Sequence, residues 1–232
     1  MATVIEPVLE EALADQVVAL RDVGWKGYKA LMRLRGERPR PRMVYLDGTV
    51  YLMSPSYLHD FLSRRLMLLV VVVTEELDIP CTLAGTTTFR RKRKEAGVEG
   101  DESFYLANAH RIVGKKALDM RVDPPPDLAI EAVYSHGADA ALEVYRRLRV
   151  PEVWVAEQTR LSIRVLDARN RYRESASSLA FPYLSAEEIH AWIVRDQDDS
   201  GTAWTKALRA WVRQTLKPRA AARQTGTPSK TE

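Results

Sequence analysis

Two acidic residues lie in short apolar segments that have the composition of buried strands. Asp101 comes just before the segment 103–106, and Glu131 interrupts the apolar segment 128–133. A carboxylate in such a setting is costly unless a hydrogen-bond partner or a metal ion compensates its charge. Two such acids on neighbouring strands are suited to hold one hard divalent cation. The simpler alternative is that each acid caps a turn or pairs with an arginine.

Spacing favours Asp101, rather than Asp127, as the partner of Glu131. Asp127 and Glu131 share a strand face, but four residues at about 3.3 Å each place them roughly 13 Å apart. That separation is too large for a single ion to bridge. Asp127 directly follows a run of prolines, whose fixed geometry disfavours a helix. We therefore interpret Asp127 as the residue at which the strand begins.

The composition indicates a globular protein that needs no disulfide. The 232 residues suit one domain with appendages or two small domains. The single cysteine, Cys81, lies in an apolar context, which predicts a small buried side chain and a reducing compartment. The longest apolar run, residues 66–73, is far shorter than the roughly 18 residues that a membrane helix needs. Because acidic residues occupy the start in place of a signal peptide, we expect a cytoplasmic protein with no membrane partner.

The positive net charge gives only weak support to nucleic-acid binding by the folded part. The formal net charge is +4, of which the segment 217–232 contributes +3 and the rest of the chain +1. That segment is polar and poor in large apolar residues, which predicts a disordered tail. The run FRRKRK at 89–94 is the densest basic stretch. It is suited either to contact DNA phosphates or to form a solvated loop.

Periodicity and turn signals divide the chain into four parts. We expect an N-terminal helical segment at 1–42, a core at 43–195, a C-terminal helix at 196–216 and the disordered tail at 217–232. Within the core, Asp47 and Gly48 between two apolar runs predict a β-hairpin. Ser56 is placed to cap a long helix over about 58–77, and Ser185 with Glu188 forms a capping box. Strands at 82–89, 104–107, 128–133, 153–156 and 161–166 and a helix at 139–148 complete the prediction. This order of elements predicts a mixed α/β (α+β) fold.

Four segments, in order, resemble one known family. They are YLDGTVYLMSPSYLHD at 45–60, GVEGDESFYL at 97–106, GKKALDMRVDPPPDLAIEA at 114–132 and RVPEVWV at 149–155. Together they are similar to the Uma-type restriction endonuclease family of the PD-(D/E)XK nuclease-like superfamily, over about residues 28–193. The resemblance implies a restriction-endonuclease-like core, in which helices flank a central mixed sheet and acidic metal ligands lie on adjacent strands.

The resemblance also implies a catalytic site. Asp101 matches the acid of the second core strand, Glu131 the acid of the third, and His59 the histidine after the family's Ser-Pro-Ser turn. On this comparison Asp101 and Glu131 hold Mg²⁺ or Mn²⁺, which polarises the scissile phosphate and generates a nucleophilic hydroxide. The implied partner is nucleic acid, with DNA expected, and a homodimer is open because many nucleases of this fold act as dimers. His59 has the alternative role of a helix-start residue that bonds locally.

The chain departs from the family pattern at positions that bear on catalysis. Gly100 stands where a proline usually precedes the first acid. The family lysine, four residues before a tyrosine that matches Tyr145, falls on Ala141, and the superfamily's other lysine position falls on Val133. Loss of one positioned cation costs on the order of 10²–10³ in rate.

His136 is a candidate substitute for the missing lysine, and the alternative is an ordinary loop histidine. The leading hypothesis is therefore a metal-dependent endonuclease whose activity is impaired. The alternative is a catalytically inactive nuclease-fold protein that acts as a binding module. The sequence contains no phosphate-binding GxxxxGK loop, no zinc-type Cys/His spacing and no GxSxG elbow, which argues against kinases, zinc hydrolases and esterases.

Overall fold

The computed structural model describes residues 15–133, 138–195 and 200–225. In this part of the chain the strands form one five-stranded and one six-stranded sheet. The strands are β1 (Gln16–Leu20), β2 (Arg42–Leu46), β3 (Thr49–Ser54), β4 (Thr82–Leu83), β5 (Thr88–Arg91), β6 (Ala96–Glu99), β7 (Glu102–Tyr105), β8 (Leu128–Ala132), β9 (Glu152–Ala156), β10 (Leu161–Leu166) and β11 (Tyr172–Ser175). The mixed α/β class expected from the sequence is confirmed, with the β-structure divided between two sheets.

Seven α-helices lie among the described residues. They are α1 (Gly24–Arg35), α2 (Tyr57–Glu76), α3 (Ala109–Ile112), α4 (Asp139–Leu148), α5 (Ala186–Val194), α6 (Gly201–Trp211) and α7 (Lys217–Thr225). A π-helical turn, Val212–Leu216, joins α6 to α7, and a 3₁₀ turn, Lys92–Lys94, joins β5 to β6. No helix among the described residues is both long enough and apolar enough to cross a membrane.

The chain passes from one sheet to the other at Gly100 and Asp101. The five-stranded sheet is antiparallel, in the order β1-β3-β2-β6-β5. The six-stranded sheet has the order β11-β10-β9-β8-β7-β4 and is mixed, because β8 and β9 run parallel. Glu102 of β7 pairs with Ile130 of β8 in antiparallel register. This register brings Asp101, just before β7, beside Glu131 of β8.

The long helix α2 covers one face of the six-stranded sheet. Its side chains Leu66, Leu69 and Val73 are fully buried in the main hydrophobic core, where α2 packs against β8 and α6. The helix begins after Ser56, whose hydroxyl accepts a hydrogen bond from the His59 backbone N–H at 3.3 Å. The β-branched residues in its second half therefore lie in a helix, as the length of the segment predicted.

Several local predictions are confirmed in detail. The turn at Asp47 and Gly48 joins β2 to β3, and both residues have positive φ, as this type of hairpin requires. The helix α4 has the bounds expected from the sequence. The capping box at the start of α5 has both of its hydrogen bonds, with Ser185 and Glu188 as partners.

The prediction was wrong for two segments, residues 16–20 and residues 217–225. Residues 16–20, expected in a helix, form β1, an edge strand that pairs with β3 along its whole length. Pairing with β3 outweighs the weak helical spacing of this short segment. Lys217–Thr225, expected to be disordered, form α7, and Arg219 of this helix pairs with Glu188 at 2.6 Å. Strands β6 and β11 were not predicted.

Candidate active site

Asp101 lies at the centre of a buried polar cluster between the two sheets. Its side chain is 0% exposed, and Oδ1 forms an ion pair with Arg42 Nη1. His59 Nε2 lies 2.8 Å from the same oxygen, a distance that requires a proton between the two atoms. Oδ2 accepts a hydrogen bond from the Ala132 backbone N–H at 2.6 Å. Asp101 is therefore held by three donors that come from β2, α2 and β8.

Asp15 holds the other side of the His59 ring. Asp15 Oδ2 lies 3.0 Å from His59 Nδ1, and Asp15 Oδ1 accepts from the Ser56 backbone N–H at 2.8 Å. Burial alone raises the pKa of the Asp15 carboxyl, but the hydrogen bonds from His59 and Ser56 outweigh it and lower the pKa to about 2. The imidazole is thus fixed between two carboxylates, Asp15 and Asp101.

Glu131 is the fourth of the five residues of β8 and is 6% exposed. Its Oε1 accepts a hydrogen bond of 2.5 Å from the Tyr145 hydroxyl, which α4 places above the strand. Burial raises the pKa of the Glu131 carboxyl above its usual value of 4.5, and the Tyr145 hydrogen bond with the charges of Arg42 and His59 only partly opposes the shift. The protein thus stabilises the neutral form of this acid relative to water.

A cavity of about 350 Å³ opens beside Glu131. Its lining includes Arg42, Glu99 and Glu131, together with Val133 and Ala141. Ala141, the position of the family lysine, therefore faces the same space as Glu131. Neither Ala141 nor Val133 brings a charge to this space.

Glu99 has a structural environment, although it also lines the cavity. Both of its oxygens contact Arg35, with Oε1 at 2.7 Å from Nη2. Met43 donates its backbone N–H to Oε2 at 3.0 Å, and the Thr88 hydroxyl donates to Oε1 at 2.6 Å. These contacts tie α1 to β2, β5 and β6, which explains the burial of the acid without a role in chemistry.

Gly100 is packed too closely to carry a side chain. A Cβ atom on Gly100 would lie 1.9 Å from the Tyr145 hydroxyl oxygen and 2.7 Å from Glu131 Oε1. The Tyr145–Glu131 hydrogen bond therefore occupies the space that a side chain at position 100, such as the family's proline, would need.

Asp127 and Lys115 form contacts outside the cluster. Asp127 accepts hydrogen bonds from the backbone N–H groups of Leu106 and Asn108 at 2.7 and 2.9 Å, so it fixes the start of β8 as predicted. Lys115 forms an ion pair with Asp123, outside the cluster. His136 lies outside the described residues.

The sequence profile of the Uma2 family, described as "Putative restriction endonuclease", matches residues 25–196 of this chain. The chain belongs to the Uma2 family. This match confirms the resemblance drawn from the sequence motifs, and it covers all of the core elements from α1 to α5.

One solved structure with a similar fold is the crystal structure of a protein from Anabaena variabilis ATCC 29413, described as a putative nuclease belonging to DUF820. It is 12% identical to this Uma2 member, with a TM-score of 0.48. The match covers 69% of this chain and 96% of that chain. A comparison with curated proteins found no match.

The donors at the site fit a hard divalent cation in chemical type. The Asp101 carboxylate has roughly four lone pairs, and protein donors occupy three of them, two on Oδ1 and one on Oδ2. One lone pair of Oδ2 therefore remains for a metal ion. Glu131 of β8 lines the cavity and supplies the second carboxylate of the site. The described residues contain no group of three or more histidine, cysteine or acidic side chains placed to hold a metal ion. Water or substrate oxygens would therefore complete the coordination, as is common for Mg²⁺.

Three contacts of this site were missed by the sequence analysis. Arg42 ends the segment RGERPRPR, whose prolines and charges predict a loop between elements. Only the pairing of β2 with its neighbouring strands buries Arg42, which is 7% exposed. Asp15 lies in a segment whose helical interpretation was wrong. In the sequence, Tyr145 served only to locate the position of the family lysine, and its hydrogen bond to Glu131 was not predicted. No local pattern signals these contacts, because each one joins distant parts of the chain.

Proposed function

We propose that this Uma2 member is a metal-dependent endonuclease that hydrolyses phosphodiester bonds of DNA at the Asp101–Glu131 pair. Membership in the family supports the nuclease class. The observation that carries the proposal is the Glu131 carboxylate, which is 6% exposed yet lines a cavity of about 350 Å³. Burying an acid in a strand costs stability, and buried acids with raised pKa values concentrate at functional sites.

Asp101 and Glu131 would hold Mg²⁺ or Mn²⁺, because both ions prefer carboxylate oxygens. When bound there, the ion would polarise the scissile phosphate and lower the pKa of a water molecule beside it.

Neighbouring side chains would keep the two carboxylates in position. His59 donates to Asp101 Oδ1, and Asp15 fixes the ring of His59. The Tyr145 hydroxyl donates to Glu131 Oε1. A site of this kind works best when its groups are held before the substrate arrives, since no reorganisation is then needed during the reaction. His59 is thus proposed as a residue that positions Asp101.

Arg42 is the cation placed to take over the electrostatic role of the missing lysine. Its guanidinium contacts Asp101 and lines the same cavity as Glu131. A fixed guanidinium there would stabilise the negative charge that develops on phosphate oxygens in the transition state.

A second candidate function is binding without catalysis. It is favoured by Ala141 and Val133, which line the cavity without a charge, and by the ion pair that already neutralises Asp101. In that case the protein would keep the nuclease fold and its partner class but would not cleave.

Cleavage of supercoiled plasmid DNA with Mg²⁺ or Mn²⁺ tests the proposal. We expect slow cleavage by the unmodified protein and a loss on the order of 10²-fold in Asp101→Asn and in Glu131→Gln. Glu187→Gln, which changes an exposed acid at the start of α5, is the control and should cleave normally. Cleavage that survives both site substitutions would place the chemistry elsewhere. If no folded preparation cuts DNA or RNA, binding without catalysis is the better account.

A further inference from the structure

A basic cleft of about 970 Å³ lies along the free edge of the five-stranded sheet, where β5 has no outer neighbour among the described strands. Its cations are Arg90, Arg91, Lys92, Arg93, Lys94 and Arg121, and it is lined by a single carboxylate of the described chain, Asp119. It shares no lining residue with the cavity beside Glu131. The basic cleft is therefore a separate feature of the surface, and the proposed catalytic site does not account for it.

Most charges of the basic cleft are not neutralised by the protein. Arg90, Lys92, Arg93 and Lys94 are exposed, and the ion pairs among the described residues leave these four without a carboxylate partner. A run of four unpaired cations repels itself, so the arrangement favours an external anion.

The basic cleft also has a fixed and partly apolar floor. Arg91 donates from Nε to the Met120 backbone carbonyl at 2.9 Å, which holds this edge of the cleft in place. Trp25, Met32 and Leu118 contribute apolar surface to the same lining. A surface that combines a row of cations with apolar side chains fits the nucleic-acid backbone, whose phosphates meet the cations while its sugars cover the apolar part.

We propose that the basic cleft binds the phosphodiester backbone of nucleic acid and anchors it away from the acidic residues. The cleft lies at the β5–β6 turn, whereas Asp101 follows the opposite end of β6. From Ala96 to Asp101 the chain advances five residues, or roughly 16 Å when extended. That span corresponds to roughly five base pairs of B-DNA at about 3.4 Å each. The anchoring does not depend on cleavage, and it holds equally for a protein that only binds.

Fluorescence anisotropy with a fluorescein-labelled DNA duplex, in the presence of EDTA, measures this binding without cleavage. The test variant is the triple substitution Lys92→Gln, Arg93→Gln and Lys94→Gln. The matched control is the triple substitution Arg169→Gln, Lys206→Gln and Lys217→Gln, which removes the same charge from exposed positions elsewhere. Thermal melts of both variants confirm that each is folded.

We expect the cleft variant to bind at least tenfold more weakly than the unmodified protein, at a fixed salt concentration of about 0.1 M. The slope of log Kd against log salt concentration should fall by about 0.9 for each phosphate that the variant no longer neutralises. The control variant should bind within about twofold of the unmodified protein. Equal weakening in the two variants would show attraction to net charge alone and would overturn the proposal, as would unchanged binding in the cleft variant. Cleavage by the Asp101 and Glu131 variants tests the proposed function of the acids separately. If those variants lose cleavage but bind DNA as the unmodified protein does, the cleft proposal still stands.

Discussion

Arg42 forms a buried ion pair with Asp101, in which the guanidinium Nη1 contacts carboxylate Oδ1. The two side chains are 8% and 0% exposed, so the pair is shielded from water. Burial lowers the pKa of the Arg42 guanidinium, but an arginine remains charged in proteins. A fixed positive charge thus lies in the acidic site, although the position of the family lysine carries none.

Replacement of Arg42 tests how the site balances its charges. Arg42→Met should lower the free energy of unfolding by about 3 kcal/mol, because it leaves the buried Asp101 with His59 as its remaining side-chain partner. Mn²⁺ should restore part of this loss and should stabilise the variant more than the unmodified protein, since the cation replaces the lost charge. Urea denaturation with and without Mn²⁺ measures both effects. Arg40→Met, which removes a half-exposed partner of Asp60, is the control and should cost about 1 kcal/mol or less. An equal effect of Mn²⁺ on all three proteins would argue against Asp101 as a ligand.

Glu131 should cost stability as the pH rises. Burial raises the pKa of Glu131 in the folded state above the usual 4.5. At pH values between 4.5 and this raised pKa, the folded state binds more protons than the unfolded state, so stability falls as the pH rises. Glu131→Gln should therefore melt roughly 2–4 °C higher at about pH 8, and this gain should vanish near pH 5.

Glu143 provides a comparison with the opposite sign. Hydrogen bonds from Arg146, with those from Arg147, lower the pKa of Glu143 to about 2. The stability that its ionised form contributes is present above pH 4.5 and is lost as the pH falls toward 2. Glu143→Gln should therefore lower the melting temperature at about pH 8. Thermal melts that show the same sign for both variants would contradict the assigned environments.

The contact between Gly100 and Tyr145 predicts strong coupling of two substitutions. Gly100→Ala places a methyl group where the Tyr145 hydroxyl now lies, so it should cost about 1–3 kcal/mol through overpacking and a displaced hydrogen bond to Glu131. In a Tyr145→Phe background the hydroxyl is gone, and the same change should cost at least about 1 kcal/mol less. A double-mutant cycle by urea denaturation measures this coupling. Additive effects would show that the two residues do not share this space.

Restoring the family lysine should raise activity. Ala141 lines the cavity beside Glu131, so Ala141→Lys would place an amine near the proposed scissile phosphate. We expect plasmid cleavage to increase by about tenfold or more, because a fixed cation stabilises charge in the transition state. Ala210→Lys, at an exposed position of α6 that does not line this cavity, is the matched control. An equal increase in both variants would indicate general attraction to DNA rather than a catalytic effect.

The predictable parts of this protein are those that local chemistry decides. The Asp47–Gly48 turn, the Ser56 cap and the Ser185–Glu188 capping box each depend on a few adjacent residues, and all three are confirmed. Asp101 and Glu131 could be found because an acid in an apolar strand is visible in the sequence. Their neighbours Arg42 and Asp15 could not, since they reach the site only through the pairing of β1, β2 and β3. The strand β1 itself was mistaken for a helix because five residues carry too little periodicity to separate the two.

A crystal structure with Mn²⁺, with anomalous diffraction data to locate the ion, would show whether the two buried carboxylates share one metal. We predict one Mn²⁺ ion bound by oxygens of both Asp101 and Glu131, at about 2.0–2.6 Å, in the cavity that Arg42 lines. Finding no ion at these carboxylates under saturating Mn²⁺, with Arg42 still paired to Asp101, would contradict the proposed metal site.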